Sequence, residues 1–258
     1  MSSNKLKLNS DKTHLMHFSS NRPRADNDQN NAIQLNTGNE IINVSQSEKL
    51  LGSIVNCDLR WDEHLLHHSD ALLKQLSQRL SAIKLICNIA DFKTRKMVTN
   101  GLFMSKLTYL MPLWGGCPKY LVNALQVMQN KAARYVTKQN VYTPVKSLLL
   151  QCDWLSVQQM IFFHTVVLFY RTRERGLPVQ LFKMASSDYN YNTRQKANGN
   201  YKVLSNIRRP STLAMRSYRW RSVEWWNLLP LEIKCEKNVV HFKKSLKVWI
   251  RQNINITP

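Results

Sequence analysis

Acidic side chains are scarce in this sequence. Its 258 residues include 16 Asp and Glu against 37 Lys and Arg, which gives a formal net charge of +21 and a pI near 10. Such an excess of positive charge is typical of proteins that bind a polyanion, most often nucleic acid and less often an anionic membrane surface. Residues 1–64 carry a net charge of −1, and residues 65–258 carry +22. We therefore expect a polyanion to contact the C-terminal three quarters of the chain.

Closely spaced cysteines and long apolar runs are also missing. The five cysteines are about 30 or more residues apart and form no CxxC pair, which favours reduced, buried thiols in an intracellular protein. The polar first residues do not resemble a signal peptide. The longest apolar run, residues 160–170, is too short to span a bilayer and is typical of a buried helix. These features predict a protein of the cytoplasm or nucleus that is not secreted and has no membrane partner.

Familiar catalytic motifs are absent as well. The sequence has no GxGxxG, GxxxxGK[ST], GxSxG or HExxH pattern. In "EHLLHHSD", His64 and either His67 or His68 would share a helix face beside Asp62, a spacing that zinc sites use. Such a cluster more commonly marks a solvated helix start. We expect this chain to hold no metal and no cofactor.

The apolar pattern changes along the chain. Residues 12–57 predict β structure, with a hairpin around residues 37–39 and a further strand in "KLLGSIV". From Trp61 onwards the period is near 3.6, and Asp62 is placed to cap a helix. The apolar face of that helix comprises Leu65, Leu72, Leu76, Leu80, Ile83 and Cys87. Further helices are expected at about 92–111, 119–137, 143–151, 156–174, 216–227 and 238–253. The predicted fold is α+β and mostly α, with a small antiparallel β segment at the N-terminus followed by basic helices.

The stretch "SVEWWNLLPLEIK", residues 222–234, places Trp225 and Trp226 among cationic residues. Two adjacent indoles are either part of a core or a platform on which bases stack. We favour the core, because aromatic residues at helical spacing usually pack. The arginines nearby are better candidates for phosphate contact, although a solvated charged face would look the same. They are Arg208, Arg209, Arg216, Arg219 and Arg221.

The order of several motifs resembles one known family. "NKLKLNSDKTHLMHF" resembles the end of the palm in reverse transcriptases of non-LTR (LINE-like) retrotransposons, and "KLLGSIVNCDLRWDEHL" resembles the block that leads into the thumb. "LTYLMPLWGG" and "LQVMQNKAARYV" resemble thumb and post-thumb helices, and "YNTRQ", "WWNLLPLEIK" and "FKKSLK" resemble the C-terminal block. The matching positions are Asn4, Leu6, Leu8, Asn9, Lys12, Thr13, Met16, Phe18, Leu51, Gly52, Leu59, Trp61, His64, Tyr109, Trp114, Gln129, Ala132, Arg134, Trp226, Asn227 and Pro230.

The resemblance implies an organisation and an activity. Residues 1–60 would be a remnant of the palm, residues 61–180 a thumb-like helical region and residues 181–258 a basic C-terminal region. The family activity is RNA-directed DNA polymerisation, yet the Tyr-x-Asp-Asp turn and the earlier aspartate that bind Mg²⁺ in the family are not in this sequence. No catalytic set is therefore intact: Lys12 would be a general acid, and Mg²⁺ would be bound, only in a complete polymerase. The expected protein is a truncated reverse transcriptase that is inactive alone.

The thumb and C-terminal region would grip RNA and DNA through their phosphates, without sequence preference. The expected contact residues are Lys131, Arg134, Arg194, Arg208, Arg209, Arg216, Arg219 and Arg221. Two alternatives stay open: an independent, co-opted RNA- or DNA-binding module, and a basic helical adaptor for an acidic protein. The oligomeric state is left open.

Overall fold

Helices make up most of the chain, and short antiparallel sheets make up the rest of its regular structure. The computed structural model describes residues 9, 12–18, 33–36, 41–176, 178–187, 194–204 and 211–253. The predicted fold class, α+β and mostly α, is confirmed. The chain divides into two compact units, Met1–Lys74 and Gln75–Pro258.

The first unit contains the predicted hairpin. Strand β1 (Gln34–Asn36) pairs antiparallel with β2 (Ile41–Asn43), with Leu35 opposite Ile42. The turn predicted at residues 37–39 lies outside the described residues. The β segment expected at the N-terminus is therefore confirmed by its strands.

The expected single strand in "KLLGSIV" is wrong, because the chain reverses inside it. Strand β3 (Ser47–Leu50) pairs with β4 (Ser53–Asn56), and the two residues between them, Leu51 and Gly52, have φ values of 49° and 79°. Two consecutive residues with positive φ form the tight turn that matches the twist of a hairpin. Glycine adopts this conformation without strain, whereas leucine rarely does.

The histidine segment is only partly solvated, with His67 exposed and His68 half-buried. Residues Glu63–His67 form a single π-helical turn, and the side chain of Asp62 does not cap it. His64 is buried, and its Nδ1 accepts a hydrogen bond from the backbone N–H of Ile54 at 3.3 Å. Trp61 contacts the imidazole edge-on. His64 is thus part of the packing under β4.

The long helix predicted from Asp62 is interrupted at residues 68–71 and resumes as α1 (Leu72–Ile89). Its predicted apolar face is nevertheless correct. The six residues assigned to that face, Leu65, Leu72, Leu76, Leu80, Ile83 and Cys87, are all buried.

The second unit is helical. Its longer helices are α2 (Phe92–Thr99), α5 (Lys119–Thr137), α6 (Val145–Gln151), α7 (Val157–Arg175), α11 (Tyr218–Asn227) and α13 (Val239–Gln252). Shorter ones are α3 (Ser105–Thr108), α4 (Met111–Trp114), α8 (Val179–Phe182), α9 (Arg194–Ala197), α10 (Thr212–Arg216) and α12 (Leu231–Lys234). Most bounds agree with the sequence prediction, and α5 agrees at both ends.

The helix predicted over residues 92–111 ends earlier than expected. Asp91 caps α2 by accepting from the N–H groups of Lys93 and Thr94, and a π-helical turn at Asn100–Met104 joins α2 to α3. Leu110 then adopts a left-handed conformation, with φ of 52°. A left-handed residue breaks the helical path, so the chain restarts as α4 with Pro112 in its first turn.

Helix α7 is the centre of the second unit. Ser156 and Gln159 form a capping box at its start, and ten of its residues are buried. Helices α4, α5, α11 and α13 all pack against it. The prediction that residues 160–170 form a buried helix is confirmed, and no helix of the described residues is long and apolar enough to cross a membrane.

The C-terminal residues belong to the same compact unit as helices α2 to α7. Strand β5 (Ala185–Ser186) pairs with β6 (Lys202–Val203), and β6 contacts α11, which packs on α7. The apolar residues of α11 and α13 complete the core around α7. All five cysteines are free thiols: Cys87, Cys117 and Cys152 are buried, whereas Cys57 is partly exposed and Cys235 is exposed.

Candidate nucleic-acid interface

The residues expected to contact phosphate have different environments. Lys131 on α5, Arg194 at the start of α9 and Arg216 at the end of α10 are exposed. Arg219 on α11 is half-buried. These four side chains stay candidates. Arg208 and Arg209 lie outside the described residues.

Arg134 is occupied within the fold. Its Nη2 donates to the carbonyl of Val141 at 3.1 Å, and its Nη1 lies 3.5 Å from the carbonyl of Asn130. The side chain therefore ties the loop after α5 back onto that helix. A phosphate contact would have to compete with these two acceptors.

Arg221 does not match the expectation, because it is 5% exposed. Its Nε donates to the carbonyl of Arg216 at 2.7 Å, and its Nη2 donates to the carbonyl of Pro112 at 2.8 Å. The guanidinium carbon lies 5.3 Å from the centre of the Trp225 ring. Burial lowers the pKa of Arg221 to about 10. The structure thus assigns Arg221 to joining α11 to α4, a role that sequence cannot separate from phosphate binding.

Gly115 and Gly116 leave the space into which the Arg221 side chain packs. A Cβ on Gly116 would collide with the carbonyl oxygen of Arg216, and one on Gly115 would collide with the side chain of Ile161. Either methyl group would also come within 3.3 Å of the Arg221 guanidinium. The sequence "GG" marks this close contact, although on its own it suggests only a turn.

The tryptophan pair is core, as the sequence analysis favoured. Trp226 is fully buried, stacks on Phe242 with ring centres 6.1 Å apart, and lies 5.4 Å from Phe169. The guanidinium of Arg173 covers its ring at 4.7 Å. Trp225 is also buried and stacks on Phe162 at 5.1 Å.

The motif around Trp226 also fixes a distant segment, residues 198–201, which we call the tethered segment. Trp226 Nε1 donates to the carbonyl of Gly199 at 3.0 Å. The Asn227 side chain accepts from the N–H of Tyr201 and donates to its carbonyl, both at 2.8 Å. The W-N pair thus both fills the core and binds main chain.

A buried lysine completes the attachment. Lys234 is 2% exposed, and its Nζ donates to the carbonyls of Asn198 (3.1 Å) and Asn227 (3.3 Å) and to Oδ1 of Asn200 (2.6 Å). Burial lowers the pKa of its ammonium group. Three acceptors satisfy the three N–H bonds of the group, so its burial is compensated. Sequence analysis missed this role, because Lys234 looks like any other cation of the basic C-terminus.

Two neighbouring cavities lie along α5 and the first turn of α7. The first has a volume of about 420 Å³, and Arg216, Lys119 and Trp225 are among its lining residues. The second has a volume of about 390 Å³ and includes Lys146 and Trp154. Val122, Asn123 and Gln158 line both. We call the two together the α5–α7 groove. The sequence gives no signal for this groove, because its lining residues are spread along the chain from Gly115 to Arg251.

No constellation of catalytic or metal-binding groups emerges in the described part of the chain. No group of three or more His, Cys, Asp or Glu side chains is placed to hold a metal ion there. Lys12 is exposed, and its backbone N–H donates to the carbonyl of Asn9 at 3.3 Å. The described residues therefore do not fit the two-magnesium site of a polymerase.

Comparison of the chain with protein-family models, with curated proteins and with solved structures finds no match. The class that the fold defines is a basic, mainly helical α+β protein. The resemblance to non-LTR reverse transcriptases rests on the sequence motifs.

Proposed function

We propose that residues 75–258 bind RNA or DNA through the phosphate backbone, without sequence preference. The observation that carries this proposal is the charge of the second unit, which has 29 Lys and Arg against 7 Asp and Glu. A folded unit with a net charge of +22 attracts a polyanion from solution and releases its counterions on contact.

The structure supplies a rigid frame for these charges. Lys131, Arg194 and Arg216 project from three different helices of the second unit and are exposed. Helix α5 packs on α7, and α10 packs on α11, which itself packs on α7. Lys131 and Arg216 are thus held by elements attached to the core, and their binding to phosphate does not require the ordering of a long flexible segment. Backbone contacts of this kind position a nucleic acid without reading its bases.

In the setting that the sequence motifs suggest, this unit is the thumb and post-thumb part of a non-LTR retrotransposon reverse transcriptase. Its role there is to grip the primer–template duplex. The chain itself carries no Tyr-x-Asp-Asp turn. We therefore propose that it binds nucleic acid but does not extend a primer.

The test is the salt dependence of binding by the full chain, measured by filter binding to labelled RNA and DNA. If about six to ten phosphates are neutralised, affinity falls roughly 10³–10⁵-fold between about 50 and 200 mM salt. Polyglutamate serves as the competitor that separates this proposal from an adaptor for acidic proteins. Two results would contradict the proposal. One is binding that does not change with salt concentration, and the other is binding that is abolished by polyglutamate at a charge concentration equal to that of the nucleic acid.

Paired variants locate the contacts. The double substitution Arg216→Ala and Arg219→Ala should flatten the salt slope by up to about two units, one per lost phosphate contact. Lys84 and Lys93 are exposed on α1 and α2, so Lys84→Ala with Lys93→Ala removes the same net charge elsewhere. If both double variants change the salt slope equally, then Arg216 and Arg219 make no phosphate contact beyond the general effect of lost charge. Arg221 is left out of the set, since its burial predicts loss of stability.

A further inference from the structure

The α5–α7 groove has features that a flat cationic surface lacks. Its two cavities, of about 420 and 390 Å³, share Val122 and Asn123 of α5 and Gln158 of α7. Each falls within the range of pockets that hold a drug-sized molecule, ~300–1,000 Å³. A base with its sugar fits such a volume. A duplex, whose major groove alone is about 12 Å wide, would lie across the opening.

Exposed cations line both cavities of the groove. Lys119 and Arg216 line the first cavity and are exposed, and exposed Lys146 lines the second. Arg251 also lines the second cavity, although it pairs with Asp153. Among the described lining residues, Glu224 is the single carboxylate. This excess of positive charge in both cavities suits a polyanion.

The middle of the groove suits bases. Asn123 and Gln158 carry amides that can both donate to and accept from a base edge. One indole borders each cavity, Trp225 the first and Trp154 the second, and both are buried. The indoles are therefore apolar walls of the cavities, and the amides are the groups that would hold the bases.

We propose that the α5–α7 groove binds an unpaired segment of RNA or DNA, with its bases in the two cavities and its phosphates on the cations that line them. This inference rests on the proposed function, since it specifies that the nucleic acid bound at the groove is single-stranded. An acidic peptide would need carboxylates placed to meet these cations and apolar residues placed to fill the cavities. The single strand is favoured because its repeating charge matches the cations without a special sequence.

The groove can be closed without changing charge. Asn123 is exposed and lines both cavities, so Asn123→Trp fills their junction. Val240, exposed at the start of α13, lines neither cavity, so Val240→Trp is the bulk-matched control. The probes are oligouridylate of about 12 nucleotides and an RNA duplex of similar length, in keeping with sites of ~4–16 nucleotides.

The expected result is that Asn123→Trp weakens oligouridylate binding roughly fivefold or more and leaves duplex binding and its salt slope unchanged. Val240→Trp should alter neither. Unchanged oligouridylate binding, or an equal loss for the duplex, would overturn the groove proposal while the salt-dependent binding of the parent chain stands. If the parent binds neither probe in a salt-dependent way, the proposed function itself fails.

Photocrosslinking of the unaltered chain gives a second measurement that does not depend on a variant folding. Oligouridylate containing 4-thiouridine should crosslink to peptides that line the groove, within residues 115–126, 145–162 or 212–225. Crosslinks confined to other parts of the chain would contradict the proposal.

Discussion

The side chain of Asn227 and the backbone of Tyr201 form a reciprocal pair. The N–H of Tyr201 donates to Oδ1 of Asn227, and Nδ2 of Asn227 donates back to the carbonyl of Tyr201, both at 2.8 Å. The side-chain amide of Asn227 thus pairs with the backbone of Tyr201 in the way that a neighbouring strand would. The pair explains why an asparagine follows the buried Trp226.

Replacing Asn227 by Ala should therefore destabilise the protein. The change removes both hydrogen bonds to the backbone of Tyr201, at a cost of about 1–3 kcal/mol. Urea unfolding followed by tryptophan fluorescence measures it. Asn123→Ala is the control, because that amide is exposed and its loss should stay within about 0.5 kcal/mol. Equal stability of the two variants would refute the role given to Asn227.

Trp226→Ala tests the core assignment of the tryptophan pair. A fully buried indole leaves a cavity when it is removed, and the expected loss is about 3–5 kcal/mol. Trp220 is partly exposed on the same helix, so Trp220→Ala should cost less. Thermal unfolding distinguishes the two variants. A Trp226→Ala protein that folds as stably as the parent yet loses RNA binding would mean that the residue is a stacking platform.

Alanine substitutions at Gly116 and Gly101 should have opposite effects on stability. Gly116→Ala places a methyl group against the Arg216 carbonyl, and overpacking of this kind typically costs about 1–3 kcal/mol. Gly101 lies in the π-helical turn, and a Cβ there meets nothing within 4 Å. Gly101→Ala should therefore be neutral or stabilise the helix by up to about 1 kcal/mol. Destabilisation by both substitutions would show that space at Gly116 is not the cause.

His164 should make stability depend on pH. Burial, and secondarily the neighbouring Lys243, hold the pKa of His164 below its usual 6.5. Between that lowered pKa and 6.5 the unfolded chain binds more protons than the folded one, so stability is lost as the pH falls through this window. His164→Gln should remove this part of the loss when urea midpoints at about pH 7.5 and about pH 5 are compared. His241→Gln, at an exposed position of α13, is the control and should keep the full slope.

Sequence periodicity correctly predicted those helix bounds and buried faces that depend on local sequence patterns. The α5 bounds, the start of α7 at Ser156 and the buried face from Leu65 to Cys87 follow from apolar spacing, capping residues and proline. The burial of Trp226 follows from the same reasoning, because aromatic residues at helical spacing usually face a core.

The errors arise where tertiary contacts override the local pattern. Leu51 carries no sign of the positive φ that turns β3 into β4, since leucine is a poor residue for that conformation. Asp62 resembles a helix cap but does not act as one. Arg221 resembles a surface cation, and its burial depends on Gly115 and Gly116, which are more than a hundred residues earlier. The groove is missed for the same reason.

The tethered segment is held mostly by its peptide groups. Lys234 binds the carbonyl of Asn198, Trp226 binds that of Gly199, and Asn227 binds the N–H and carbonyl of Tyr201. Peptide groups are common to every residue type, so position 198 can change its side chain without loosening these bonds. The other three positions are constrained, because Gly199 has a φ of 62°, Oδ1 of Asn200 accepts from Lys234 at 2.6 Å, and the Tyr201 ring packs edge-on against Phe169 and Trp226. The tethered segment should therefore tolerate substitution at its first residue and little change at the residues that follow.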